Sequence, residues 1–355
     1  MAASQDGLLD VARRLLDHGA DTDLWDDEHF NPILIASNSG SLGIVRMLLE
    51  HGERISFVNP RVTSLHRASM SGYVEVMRLL LEHGADVRAQ DENHSTPLHE
   101  ASYYRCLMAV HLLLAHDVDI DAKDKEGMTP LHLASSYLDP HIMILLLDRG
   151  ADANAVDEEG WTPLHVVSSG GGHETVRILL DRGANANAKD KDGWTPLHLV
   201  SSDGYSATAR LLLDIGANAD AKDKDGWTPL HLASSKGRTE TVRLLLDRST
   251  NVNSEDKEGY TPLHLAASDG YTNIVHLLLN HGANPDAEDK EGWTPLHLAS
   301  LDGHAATVRT LLNRGANADA KNKKGRTPLQ VALTQNMDDT VQILTEHSAQ
   351  LDRGL

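Results

Sequence analysis

An all-α solenoid of about eleven helix-turn-helix repeats, with projecting β-hairpin loops, is the fold the sequence predicts. Three observations predict it. A TPLH-like tetrad begins at Asn31, Thr63, Thr96, Thr129, Thr162, Thr195, Thr228, Thr261, Thr294 and Thr327, and after a first step of 32 residues every step is 33. Between tetrads lie two short apolar runs at helical spacing, in most units closed by Gly. A segment rich in Asn, Asp and Gly then leads to the next tetrad, as turns require. Such a unit cannot bury its apolar faces alone and does so by stacking on its copies.

Each element follows from its residues. In "GWTPLHLVSSDG", Gly193–Gly204, the leading Gly permits a positive φ in a tight turn. Thr195 can cap a helix N-terminus, and Pro196 at the first helical position costs no hydrogen bond. Leu197, Leu199 and Val200 are expected to face neighbouring repeats, and Gly204 to end the first helix. The second helix, "SATARLLLDIG", carries a Leu stripe and stops at Gly216. The polar "ANADAKDKDG" that follows is read as a hairpin. On the second helices, Arg177–Asp181, Arg210–Asp214 and Arg243–Asp247 stand at i,i+4 and are expected to pair across the surface.

The 33-residue period with its TPLH tetrads and "LLLxxGAxxxA" resembles the ankyrin repeat over essentially the whole chain. The resemblance implies a curved stack whose hairpins and first helices line a concave side, and a scaffold for protein–protein interaction. It also implies that the tetrad His residues (His66, His99, His132, His165, His198, His231, His264 and His297) tie each turn to the next by hydrogen bonds. Residues 1–355 are read as one domain. Residues 1–25 form an incomplete first repeat lacking its leading turn, because "MAASQDG" matches "LAASDG" at Leu265–Gly270. Residues 26–156 hold diverged repeats and 157–321 near-identical ones. Residues 322–355 form a terminal repeat whose Gln330, Thr334, Gln335, Gln342 and Glu346 suit a solvent-facing cap.

Composition narrows the function. A formal net charge of −20 argues against a nucleic-acid partner and favours a neutral or basic protein or peptide. The longest apolar runs, such as Ile142–Leu147, are too short to span a bilayer, and the N-terminus carries no signal-peptide pattern. With Cys106 as the only cysteine, a disulfide scaffold and a Cys-rich zinc site are excluded and a reducing compartment fits, the cytoplasm or alternatively the nucleus. A monomer without cofactor is expected. No nucleophile elbow, phosphate loop, HExxH or CxxC occurs, so no catalytic or metal residue is assigned. The acidic cluster Asp26–His29 is read as a solvated turn rather than a metal site.

Two features stand out as candidate binding surface. The residue before each tetrad Thr is Trp161, Trp194, Trp227, Tyr260 and Trp293 in five successive repeats, an aromatic ladder at the root of the hairpins. Packing is its first reading and a contact edge its second. The other feature is the breakdown of the pattern in the early repeats. The turn Gly becomes His29, Arg61 and His94, and the Gly ending the first helix becomes Arg105 and Leu138, so these turns are expected to change geometry. Arg67 and Glu100 replace the usual apolar residue after the motif His and are expected to form a partly buried ion pair. Met70, Tyr103, Tyr104 and Tyr137 join them on the groove side, with Phe30 and Met128 on the hairpin side. The main reading is a groove for a peptide segment or protein domain. The alternative is a small-molecule or catalytic pocket around Arg67, Glu100, Tyr103, Tyr104 and Tyr137.

Overall fold

The computed structural model describes residues 1–22, 24–26, 30–52 and 62–352. They form 22 helices, from Ala2–Gln5 to Asp338–Asp352, in successive pairs, and no strand occurs among the described residues. The chain forms two compact units, residues 1–170 with 174–184, and residues 171–173 with 185–355.

A local rule builds each pair. Thr96 is extended, with φ −100° and ψ 166°, and its hydroxyl takes the His99 N–H at the start of helix Pro97–Tyr103. Pro97 stands where no intrahelical donor is needed. The same cap begins the helices at Pro130, Pro163, Pro229, Pro262 and Pro295. Leu98 and Ala101 are fully buried, as in the second unit are Leu197 and Val200, and Leu199 is nearly so. First helices pack on first helices of the next pair, as Pro97–Tyr103 does on Ser64–Ser71 and Pro229–Ser235 on Pro196–Asp203.

The connecting segments are tight turns rather than strand hairpins. Asp157 Oδ1 accepts the N–H groups of Glu159 and Trp161, both at 2.8 Å, while Asp157 N–H donates to Trp161 O. Neighbouring turns share one backbone bond, such as Lys125 N–H to Asn93 O and Lys257 N–H to Asp225 O, each 2.9 Å. A single rung between turns links them without making a strand ladder.

The Gly ending a first helix serves two purposes. Gly171 has φ 70°, and a Cβ there would lie 2.7 Å from the Tyr205 ring. His94, Arg105 and Leu138 nevertheless keep the left-handed turn, with φ 58°, 61° and 52°, contrary to the expected change of geometry. The bonds that close the turn explain this. Cys106 N–H reaches Ala101 O at 2.8 Å and Asp139 N–H reaches Ala134 O at 3.3 Å, matching Tyr205 N–H to Val200 O at 2.9 Å around Gly204. Those bonds fix the backbone, and the substituted side chains bear the strain. His29 and Arg61 lie outside the described residues.

Two of the expected helix pairs also do not form. Arg243 lies 3.8 Å from Glu240, one turn back, and Asp214 pairs with Arg248 of the next repeat. Arg182 and Asp148 make the same inter-repeat bridge at 2.6 Å. Stacking brings a helix-end carboxylate to the following repeat's arginine, which competes with the residue one turn away. In the last pair, Gln330, Thr334, Gln335, Gln342 and Glu346 are exposed, and Gln342 Nε2 donates to Glu346 Oε1 at 2.8 Å.

Candidate functional site

The tetrad histidines hold the turns from which any binding face is built. His99 Nε2 donates to Met128 O at 3.1 Å, since a carbonyl can only accept. Its Nδ1 then accepts the Thr96 N–H at 3.0 Å and the Thr96 hydroxyl at 2.8 Å. Both ring nitrogens are thus satisfied in the neutral form. The same tie joins His66 to Ser95 O, His132 to Trp161 O, His198 to Trp227 O, His231 to Tyr260 O, His264 to Trp293 O and His297 to Arg326 O. Burial lowers the basicity of these rings, and His231 is pushed down to about 4 although its bond to Tyr260 opposes the shift.

The ladder residues at that slot are half-buried. In the first unit Trp161 lies 6.2 Å from His165, centroid to centroid. In the second unit Trp194, Trp227, Tyr260 and Trp293 lie 6.2, 6.1, 5.7 and 5.8 Å from His198, His231, His264 and His297. Trp161, Trp194 and Trp227 lie tilted against the histidine of their own repeat, and Tyr260 and Trp293 meet theirs edge to face.

The diverged repeats are arranged differently. Tyr103 meets both Tyr104 and Tyr137 edge to face, with centroids 5.0 Å apart in each case. The three rings are 41%, 47% and 43% exposed, so stacking leaves them open to solvent. Arg67 does not pair with Glu100, contrary to expectation. Its guanidinium lies 5.3 Å from the centroid of the Phe30 ring, and its Nη1 is 3.7 Å from Met70 Sδ. The aromatic face and thioether offer a weakly hydrated cation contacts that compete with a partly buried carboxylate. Burial, together with nearby Asp91, raises the Glu100 carboxyl to about 7 against the pull of Arg67.

Glu100, Tyr103 and Tyr104 line an open cleft of about 410 Å³ with Asp124, Lys125 and Glu126 of the next turn. Arg67, Met70 and Tyr137 are outside its lining, as are Phe30 and Met128, so the predicted residues form a face with one cleft rather than a closed pocket. Sequence reading missed Asp124, Lys125 and Glu126, which look like ordinary turn residues. Their signal was the register, because a turn lies beside the first helix of the preceding repeat. Of the acidic cluster near the N-terminus, Asp26 Oδ1 accepts Phe30 N–H at 2.8 Å, and residues 27–29 lie outside the described residues.

No helix among the described residues is long and apolar enough to cross a membrane. No curated protein matches the sequence. The family model described as ankyrin repeats (3 copies) matches residues 1–91, 65–157, 138–223, 198–289 and 282–354. With the period, the Thr-His tie and the paired helices in agreement, the chain belongs to the ankyrin repeat family.

Proposed function

We propose that this protein is an interaction scaffold that receives a neutral or basic segment or domain of a partner protein on the first helices and turns of its early repeats. Ankyrin repeats are in general protein-interaction modules. The observation that carries the reading here is the row of exposed rings, Tyr103, Tyr104 and Tyr137, beside an open cleft on a pre-formed helical face. Exposed tyrosines on a rigid support give contact area at small entropic cost. The Trp and Tyr ladder from Trp161 to Trp293 serves mainly to shield the histidine ties. Only Glu100, Tyr103 and Tyr104 of the five residues weighed for acid–base work share the cleft, and its openness favours binding over catalysis. The single cysteine fits a reducing compartment, the cytoplasm or the nucleus, and the scaffold is read as a monomer.

Selection of displayed random peptides against the full chain, followed by amide hydrogen exchange, tests this. Binders should protect Pro97–Tyr103 and Pro130–Ser136, and the double variant Arg67→Ala, Tyr103→Ala should lose them while remaining folded. Unchanged binding by that variant, or selected peptides that never protect these helices, would overturn the proposal.

A further inference from the structure

The cleft beside Glu100 has the chemistry of a receptor for positive charge. Its carboxylates come from two elements, Glu100 from helix Pro97–Tyr103 and Asp124 and Glu126 from the following turn. Lys125 is the only cationic side chain in the lining. Asp124 Oδ1 is committed to the Glu126 and Met128 N–H groups, at 2.9 and 2.8 Å. The Glu100 carboxylate is not so committed: among the described residues no hydrogen bond or ion pair reaches it, because Arg67 turns to Phe30 and Met70. Tyr103 and Tyr104 form a solvent-exposed aromatic wall next to this carboxylate.

An apolar group entering the cleft would desolvate Glu100 without compensation, a neutral donor would compensate it only in part, and an anion would be repelled. A guanidinium or ammonium gains from carboxylate and ring at once. We propose that the cleft seats an arginine or lysine side chain of the partner segment, with Glu100 as its counter-ion and Tyr103 and Tyr104 as its aromatic wall. This rests on the interaction reading above and names the chemistry of the partner. Asp91, Arg67 and Tyr104 are the charged or titratable groups that act on Glu100, and Asp124, Lys125, Glu126 and buried His99 complete the surroundings. Since burial holds the Glu100 carboxyl up to about 7, an entering cation displaces its proton, and affinity should rise as pH passes through neutrality.

Fluorescence anisotropy of the full chain, at physiological salt, with labelled peptides of alternating Arg and Ser or alternating Gln and Ser tests the proposal. The Arg peptide should bind the tighter, and Glu100→Gln and Tyr103→Ala should each weaken it about tenfold. Glu240→Gln, an equal charge change on the exposed second helix Thr239–Leu246, should alter it less than about twofold. The rise in affinity with pH should vanish in Glu100→Gln. Equal losses in Glu240→Gln and Glu100→Gln would show diffuse attraction to an acidic chain and overturn the proposal, as would full binding by Glu100→Gln. Selected peptides that protect Pro97–Tyr103 yet lack Arg and Lys would overturn this inference and leave the scaffold reading standing.

Discussion

Arg105 reaches from its own repeat to Asp139 of the next, Nε to Oδ2 at 3.1 Å, from a backbone position with φ 61°. Asp139 is nearly buried and also caps helix Pro140–Asp148, accepting the N–H groups of His141 and Ile142 at 3.1 and 3.3 Å. The departure from Gly at Arg105 thus comes with a matching partner one repeat on. Where Gly is kept, the overlying residue is often large, as Tyr205 is over Gly171.

The two partners are unequal. Asp139→Ala removes a helix cap and strands a charge-assisted network, at a cost of about 2 kcal/mol. Arg105→Ala removes a partly exposed partner and should cost less than about 1 kcal/mol. Arg105→Gly should exceed Arg105→Ala in stability by about 1 kcal/mol, because Gly accepts the positive φ. Urea midpoints at constant slope rank the three variants. An Asp139→Ala midpoint no lower than that of Arg105→Ala would refute the cap assignment.

The histidine ties make stability fall in mild acid. His231 titrates at about 4 when folded against 6.5 when free, so the unfolded chain binds the extra proton first. Its contribution is complete above about 6.5 and is lost as pH falls towards 4, amounting to about 3 kcal/mol. The last tetrad supplies the control, since Gln330 Oε1 accepts the Thr327 N–H at 3.0 Å without any titration. His231→Gln should flatten the acid limb of the stability curve in thermal melts between those pH values. An unchanged limb would count against a buried neutral ring.

Glu100 acts with the opposite sign. Its carboxyl is held at about 7 against 4.5 for the free group, so the unfolded chain gives up its proton first and stability declines as pH rises from 4.5 to 7. Partial exposure limits the effect to the order of 1–2 kcal/mol. Glu100→Gln should therefore be more stable than the parent at alkaline pH and near-equal in acid. Melts across that range would contradict the buried-carboxyl assignment if the variant were weaker at high pH.

Ser234 Oγ is buried and has no hydrogen-bond partner, as are Ser201 Oγ and Ser300 Oγ at the same register. Ala267 stands there in another repeat. Removing an unsatisfied hydroxyl without changing the backbone should stabilise the chain, so Ser234→Ala is expected to gain about 1 kcal/mol by chemical denaturation. A loss of similar size would indicate a hydrogen bond at that hydroxyl.

The period and the tetrad made the helix pairs and their caps legible, because those residues act within their own repeat. The identity of Tyr103, Tyr104 and Tyr137 as a cluster was also readable, since Tyr104 and Tyr137 stand at equal register in adjacent repeats and Tyr103 directly precedes Tyr104. The Arg67–Glu100 pair was not, because Phe30 of the preceding repeat competes for the guanidinium, with Met70 one turn on in the same helix holding it on that side. Asp214 was misassigned for a similar reason, its better partner Arg248 lying 34 residues away. Local spacing reports on neighbours within a helix and carries little about the neighbour across the stack.

The tie from seven of the tetrad histidines goes to a main-chain oxygen, and that oxygen belongs in turn to Ser95, Met128, Trp161, Trp227, Tyr260, Trp293 and Arg326. The joint is therefore indifferent to the side chain it meets. A gene encoding such units can gain, lose or exchange one by unequal crossing-over while each new junction finds its fastening already made. Copy number and surface chemistry are free to vary separately, and the twin segments at Lys189–Leu199 and Lys222–Leu232 are what that freedom leaves in a sequence.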